Sequence, residues 1–125
     1  MSKPTVAILG ASADRSKYGN ISVRAHLQQG YDVYPVNPKG GEIEGLTVYK
    51  SLAEVPVELD RISVYLPPAV GLKMLPEIQA KGAKQLWLNP GSDGDDVVAE
   101  AQAMGLDPII ACSIVGLGVS PAHVK

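Results

Sequence analysis

Val6-Ala7-Ile8-Leu9-Gly10-Ala11-Ser12 is the stretch on which the reading of this chain turns. Four consecutive apolar residues predict a strand covered on both faces, as in the centre of a parallel sheet. A glycine and two small residues end it abruptly. A polar loop follows, from Ala13 to Gly19, and a helical pattern opens near Asn20. Strand, tight small-residue turn and helix together bring backbone N–H groups and a helix N-terminus up to an anion, above all a phosphate.

Outward from that stretch, strand and helix signals alternate. The helix mixes Ile21, Val23, Ala25 and Leu27 with polar residues and stops at Gly30. Tyr31–Val36 reads as a second strand, with Pro35 predicted to interrupt its pairing. Asn37-Pro38-Lys39-Gly40-Gly41 is a loop by every local signal. Leu46–Tyr49 reads as a short extended piece, and Ser51-Leu52-Ala53-Glu54 matches a capping box opening about one helical turn before Pro56. Arg61–Leu66 is the third strand, ended by Pro67-Pro68. A helix over 69–81 stops at Gly82, with Pro76 predicting a kink or a late start. Lys84–Asn89 is the fourth strand, followed by the turn Asn89-Pro90-Gly91. Asp93, Asp95 and Asp96 open a helix that carries Val97, Val98, Ala101 and Met104 and stops at Gly105. Pro108–Cys112 is the fifth strand, and residues 113–125 carry no assignable pattern. The expectation is an α/β, Rossmann-type, doubly wound five-stranded parallel sheet forming one domain over residues 1–125.

Composition supports a single core. The chain has 125 residues, 46% of them hydrophobic and 19% charged, enough to bury roughly two-thirds of the unfolded surface without disulfide or metal support. The net charge of −2 provides no global field for nucleic acid or a membrane surface, so any anion site is local. One cysteine, Cys112, and two distant histidines, His26 and His123, argue against a disulfide framework and a zinc site. Met1-Ser2-Lys3-Pro4 runs straight into the first strand, and no apolar run approaches the ~18 residues of a membrane span. The expectation is a cytoplasmic protein.

In open α/β sheets ligands lie at the carboxyl ends of the strands, near the switch point. Four such ends run into small or proline-containing sequence: Gly10-Ala11-Ser12, Asn37-Pro38-Lys39, Leu66-Pro67-Pro68 and Asn89-Pro90-Gly91. The first departs from the dinucleotide fingerprint. Ser12 and Arg15 stand where its second and third glycines belong, and Gly19 arrives four residues late. Ser12 can donate to a phosphate oxygen, and Arg15 and Lys17 can neutralise one; the plain alternative is a locally capped turn with solvated cations. The second strand ends not in the acid that holds the ribose hydroxyls of NAD but in Asn37 and then Lys39. A cation there favours a ribose bearing a phosphate, the 3′-phosphate of coenzyme A or the 2′-phosphate of NADP.

Cys112 is the one reactive candidate, read either as a redox partner of a ligand thiol in a mixed disulfide or as a small buried hydrophobe. His26 reads as a surface residue, Trp87 as core and the three aspartates as helix-dipole partners. Tyr18 reads as packing, with stacking on a ligand as the alternative. No nucleophile–base pair stands at readable spacing.

Val6–Ser12, Lys17 with Gly19, the run Tyr31–Gly41, Tyr49-Lys50-Ser51-Leu52, Gly82–Leu88 and Cys112 together resemble the small single-domain CoA-binding proteins, whose fold is similar to the CoA-binding domain of the succinyl-CoA synthetase α subunit. The resemblance implies a bound coenzyme A, with Asn37, Pro38 and Lys39 near the phosphorylated ribose. Ser12, Lys17 and Asn20 would lie near the pyrophosphate, and Pro67-Pro68 along the ligand. The synthetase's phosphorylated histidine belongs to a second domain outside this stretch. The reading is therefore a non-catalytic module binding CoA or acyl-CoA, with two alternatives. One is an NADP-dependent oxidoreductase; the other is a CoA-binding subunit of an acyl-CoA synthetase completed by a partner chain. Whether the chain pairs with a second copy or a synthetase subunit stays open.

Overall fold

The computed structural model describes residues 3–124; Met1 and Ser2, from the entry to the first strand, and Lys125, the end of the unassigned tail, lie outside the described residues. Strand β1 (Thr5–Leu9), helix α1 (Tyr18–Gln28) and strand β2 (Asp32–Val36) form the first unit. A two-stranded hairpin follows, β3 (Glu42–Ile43) with β4 (Leu46–Thr47), then a single 3-10 turn at Leu52–Glu54. The second half is β5 (Leu59–Val64), α2 (Pro68–Lys81), β6 (Ala83–Leu88), α3 (Asp95–Ala103) and β7 (Pro108–Ile110).

The five long strands make one sheet in the order β2-β1-β5-β6-β7, every pair parallel. The order reverses at β1, which pairs with β2 on one side and β5 on the other, so the switch point falls beside the strand that opened the sequence reading. Alternation along β1 divides the core. Val6 and Ile8 face α1 with Val23 and Val33. Ala7 and Leu9 face the other layer, with Ile62, Leu75, Ile78, Val97 and Ala101 among their cluster. Helices thus cover both faces, as the unbroken apolar run of β1 requires.

The elements depart from the sequence expectations at several points. Helix α1 begins at Tyr18, two residues before Asn20, because Lys17 already has the extended backbone of an N-cap. The third strand runs Leu59–Val64 rather than Arg61–Leu66, since the chain turns off before Pro67. The last strand stops at Ile110, leaving Cys112 in the loop beyond. Helix α2 starts at Pro68, where a proline has no lost donor to pay for, and continues past Pro76 rather than starting late. Pro35 does not interrupt pairing. It stands opposite Ile8, and its carbonyl accepts from Tyr49 N–H at 2.9 Å on the outer edge, where its missing N–H costs the ladder nothing. Glu54 reaches back to the amides of Ser51 (3.3 Å) and Lys50 (3.0 Å), as the capping box predicts, but over one 3-10 turn only.

His26 corrects the surface reading. It is fully buried on α1, with its ring edge-on to Tyr31 at 5.0 Å. Its Nδ1 lies 2.8 Å from the Ser22 carbonyl, which only accepts, so Nδ1 carries the proton. Burial, with Arg61 nearby, lowers its pKa to about 4. Trp87 is core as expected, and Arg61 stacks over its ring at 4.8 Å. The tail is ordered as two 3-10 turns, Val115–Leu117 and Pro121–His123. No helix of the described residues is long and apolar enough to cross a membrane.

Candidate functional site

At the carboxyl edge of the sheet, the four loops singled out in the sequence converge on one cavity of about 560 Å³. Gly10, Ala11, Ser12, Lys17 and Gly19 come from the β1–α1 connection, and Asn37 and Lys39 from the end of β2. Leu66, Pro67 and Pro68 follow β5, and Pro90 and Gly91 follow β6. Arg15, Asn20, Pro38, Asn89 and Cys112 do not line it.

The β1–α1 turn is built on two glycines in close approach. Gly10 has φ +83°, and a Cβ there would lie 2.3 Å from the carbonyl oxygen of Tyr65, just beyond the neighbouring strand β5. A Cβ on Gly19 would lie 2.3 Å from the carbonyl oxygen of Gly10. Gly19 therefore performs the close helix–strand packing that the third glycine of the dinucleotide fingerprint performs, reached through a longer loop. The longer loop is held by its own polar groups. Ser12 Oγ accepts from Asp14 N–H at 3.1 Å, and Asp14 accepts from both the amide and the hydroxyl of Ser16, which lowers the Asp14 pKa. Ser12 thus caps a turn and still has its hydroxyl hydrogen to give to a ligand.

Helix α1 enters the site without a side-chain cap and without an acidic residue in its first turn. Its opening amides and the positive end of its dipole are left for an anion. Lys17 and Lys39 are both exposed and make no ion pair among the described residues. The backbone of Lys39 is fixed, because its N–H donates to Asn37 Oδ1 at 2.9 Å and Asn37 Nδ2 donates to the Ala11 carbonyl at 2.8 Å. That pair of bonds ties the β2 loop to the β1 turn. A recess of about 220 Å³ adjoins it, lined by Ser12, Ala13, Asp14, Gly40, Glu42 and Ile43, again with Asn37 and Lys39 in its wall.

Asn20 and Arg15 sit behind this surface. Asn20 is fully buried; its amide donates to the Ser12 carbonyl (2.9 Å) and to Glu44 (3.1 Å), and its oxygen accepts from Arg24 (2.7 Å). Arg24 also donates to the Arg15 carbonyl at 2.8 Å. The Arg15 guanidinium pairs with Glu44 at 3.5 Å. Glu44 lies at the tip of the β3–β4 hairpin with φ +51°, a conformation that costs a non-glycine residue about 1–2 kcal/mol. The hairpin and Arg24 thereby brace the anion loop from behind. Asn89 is likewise fully buried, donating to Ser63 Oγ and the Val64 carbonyl, each at 2.9 Å.

Three lining residues were not singled out from sequence as site residues: Tyr18, Tyr65 and Ser92. Tyr18 is 59% exposed and lines the cavity, so its ring is not part of the core packing. Tyr65 directly precedes the Leu-Pro-Pro strand end, and that position was its available signal. Ser92 Oγ accepts from Leu66 N–H at 3.0 Å, a contact no local pattern announces.

A family model described as CoA binding domain matches residues 4–117. The chain is 40% identical to the I subunit alpha of the ADP-forming acetate–CoA ligase of Pyrococcus furiosus, over 97% of this chain and 29% of that protein. It is 36% identical to the ADP-forming acetate–CoA ligase of Methanocaldococcus jannaschii, over 64% of this chain and 11% of that protein. Among solved structures, a conserved hypothetical protein from Pyrococcus furiosus superposes with a TM-score of 0.79 at 34% identity, over 92% of this chain and 99% of that one. The dinucleotide-forming acetyl-coenzyme A synthetase 1 of Ca. Korarchaeum cryptofilum, in complex with phosphate and ADP, superposes with a TM-score of 0.71 at 26% identity, over 86% of this chain and 25% of that one. The chain thus spans less than a third of the curated relatives it matches.

Proposed function

This chain belongs to the CoA-binding domain family, and from that premise we propose that residues 1–125 bind coenzyme A non-covalently as the CoA-handling unit of an ADP-forming acyl-CoA synthetase, whose other catalytic units lie outside this stretch or on a partner chain. The observation that carries the reading is one cavity lined by two exposed cations, Lys17 and Lys39, that come from different strand ends. The uncapped start of α1, with Ser12 and Lys17, suits a pyrophosphate. Lys39, one strand over and held by Asn37, suits a phosphate on the ribose. Tyr18 and Pro67-Pro68 give the ligand's organic parts a wall. Asn20 and Asn89 position loops; Arg15, resting on Glu44, is a further cation within the same loop.

The ligase relatives favour the synthetase role. A free-standing CoA carrier is the second reading, favoured by the solved Pyrococcus furiosus protein that this fold matches over almost its whole length. Calorimetric titration with CoA and NADP side by side tests the ligand: CoA is expected to bind at least tenfold tighter, and tighter NADP binding overturns the assignment. Affinity purification of the tagged chain from its own cells tests the role. Co-recovery of a nucleotide-binding ligase subunit is expected, and recovery of the chain alone, loaded with CoA, returns the carrier reading.

A further inference from the structure

A second compartment of about 230 Å³ adjoins the anion cavity, lined by Tyr18, Tyr65, Asn89, Pro90, Cys112 and Pro121. Tyr18, Tyr65 and Pro90 also line the larger cavity, so the two share a wall. Their chemistry differs. The first contains Lys17 and Lys39, whereas the second has no charged residue in its lining, only aromatic rings, prolines, a thiol and a buried amide.

The strand order sets which part of a ligand arrives there. Lys39 follows β2, Ser12 and Lys17 follow β1, Tyr65 follows β5, Pro90 follows β6 and Cys112 follows β7, in the order of the sheet itself. Neighbouring strands lie about 4.8 Å apart, so the two ends of this series are separated by roughly 19 Å. An elongated ligand anchored by its phosphates over β2 and β1 has its far end over β6 and β7.

The compartment is firmly built. Ser113 N–H donates to Asn89 Oδ1 at 2.8 Å, and the Ser113 hydroxyl lies 2.7 Å from Ser63 Oγ and 3.0 Å from the Tyr65 hydroxyl. These bonds fix the backbone next to Cys112 and occupy the polar end of Tyr65, leaving its ring as wall. Pro121 closes the space from the tail, which Arg24 holds by donating to the Val124 carbonyl at 3.3 Å.

We propose that this compartment receives the acyl end of a short-chain CoA thioester, so that the protein distinguishes acyl-CoA from free CoA and short chains from long ones. The inference rests on the CoA reading above. An uncharged, largely apolar lining suits methylene groups, and a volume below the ~300 Å³ of drug-sized sites admits only a small group.

The test is calorimetric titration of the whole chain with CoA, acetyl-CoA, butyryl-CoA and lauroyl-CoA, under reductant so that Cys112 stays a thiol. Butyryl-CoA is expected to bind about tenfold tighter than acetyl-CoA, from about three- to fourfold per buried methylene, and lauroyl-CoA at least tenfold weaker than butyryl-CoA. Cys112→Phe should bring the butyryl-CoA to CoA affinity ratio close to one. Equal affinities across CoA, acetyl-CoA and butyryl-CoA overturn the inference, and so does a Cys112→Phe protein that leaves the ratio unchanged. If no CoA species binds, the CoA reading falls and this inference with it; if CoA binds without regard to the acyl group, only this inference falls.

Discussion

Lys39 concentrates the ligand assignment in one side chain. Its backbone is fixed by Asn37, its charge is unpaired among the described residues, and it faces both the main cavity and the recess beside it. An unpaired cation held ready for a phosphate contributes a charge-assisted contact of about 1.5–3 kcal/mol. Lys39→Ala should therefore weaken CoA by at least tenfold and dephospho-CoA by less than twofold, read by parallel titrations. An equal loss for both ligands removes Lys39 from the 3′-phosphate. This residue was legible in the sequence because the sign of one charge at the end of β2 changes the chemistry received there. Tyr65 and Ser92 were not, because their place at the site depends on how three strand ends converge.

Helix α1 shows at the next scale why part of the site was legible and part was not. Gly19, Ser22, Val23 and His26 are buried at the spacing of one helix face, yet only Val23 is aliphatic. A hydrophobic periodicity cannot reveal a face made of glycine, serine and histidine, so His26 read as surface. Asn20 was selected as a ligand contact and lies beneath the loop as a brace. The β3–β4 hairpin was half seen, because its turn places Glu44 at φ +51° where glycine or asparagine is the usual signal. The five strands of the main sheet, in contrast, each carry an apolar segment with proline or glycine punctuation nearby, and all five appear. The close approach of α1 to β1 gives a further prediction. Gly19→Ala puts a methyl group 2.3 Å from the Gly10 carbonyl, backbone that cannot swing aside. Forcing the helix outward should cost about 1–3 kcal/mol, seen as a lower urea midpoint at unchanged slope, and should weaken CoA by at least tenfold because the opening amides leave the cavity. A variant with wild-type stability and affinity removes the close approach from the account.

For the whole molecule, the layer that seats α1 ties global stability to pH. His26 is buried against Tyr31 with Arg61 stacked on the same tyrosine, and its Nε2 has no hydrogen-bond partner among the described residues. Burial, opposed by the Ser22 carbonyl and reinforced by Arg61, lowers its pKa from 6.5 to about 4. A histidine with a lowered folded pKa binds its proton more readily in the unfolded chain. Its neutral form therefore stabilises the fold fully above pH 6.5, and that contribution is lost as the pH falls toward about 4. Linkage sets the loss on the order of 3 kcal/mol. Asp14 and Asp60, whose pKa values are lowered by hydrogen bonds from Ser16 and from the Thr5 amide respectively, lose their contributions only below the ordinary carboxylate value of 3.8, outside this window. Urea unfolding between pH 7.5 and 4.5 should therefore show wild-type stability level down to about pH 6.5 and falling below it, with His26→Leu nearly flat over the whole range. Parallel slopes for the two proteins would assign the acid sensitivity to other groups. CoA, bound as proposed, stabilises the fold by mass action, so a saturating concentration should raise both curves while leaving the difference in slope, since His26 stands in the last turn of α1 and does not line the cavity.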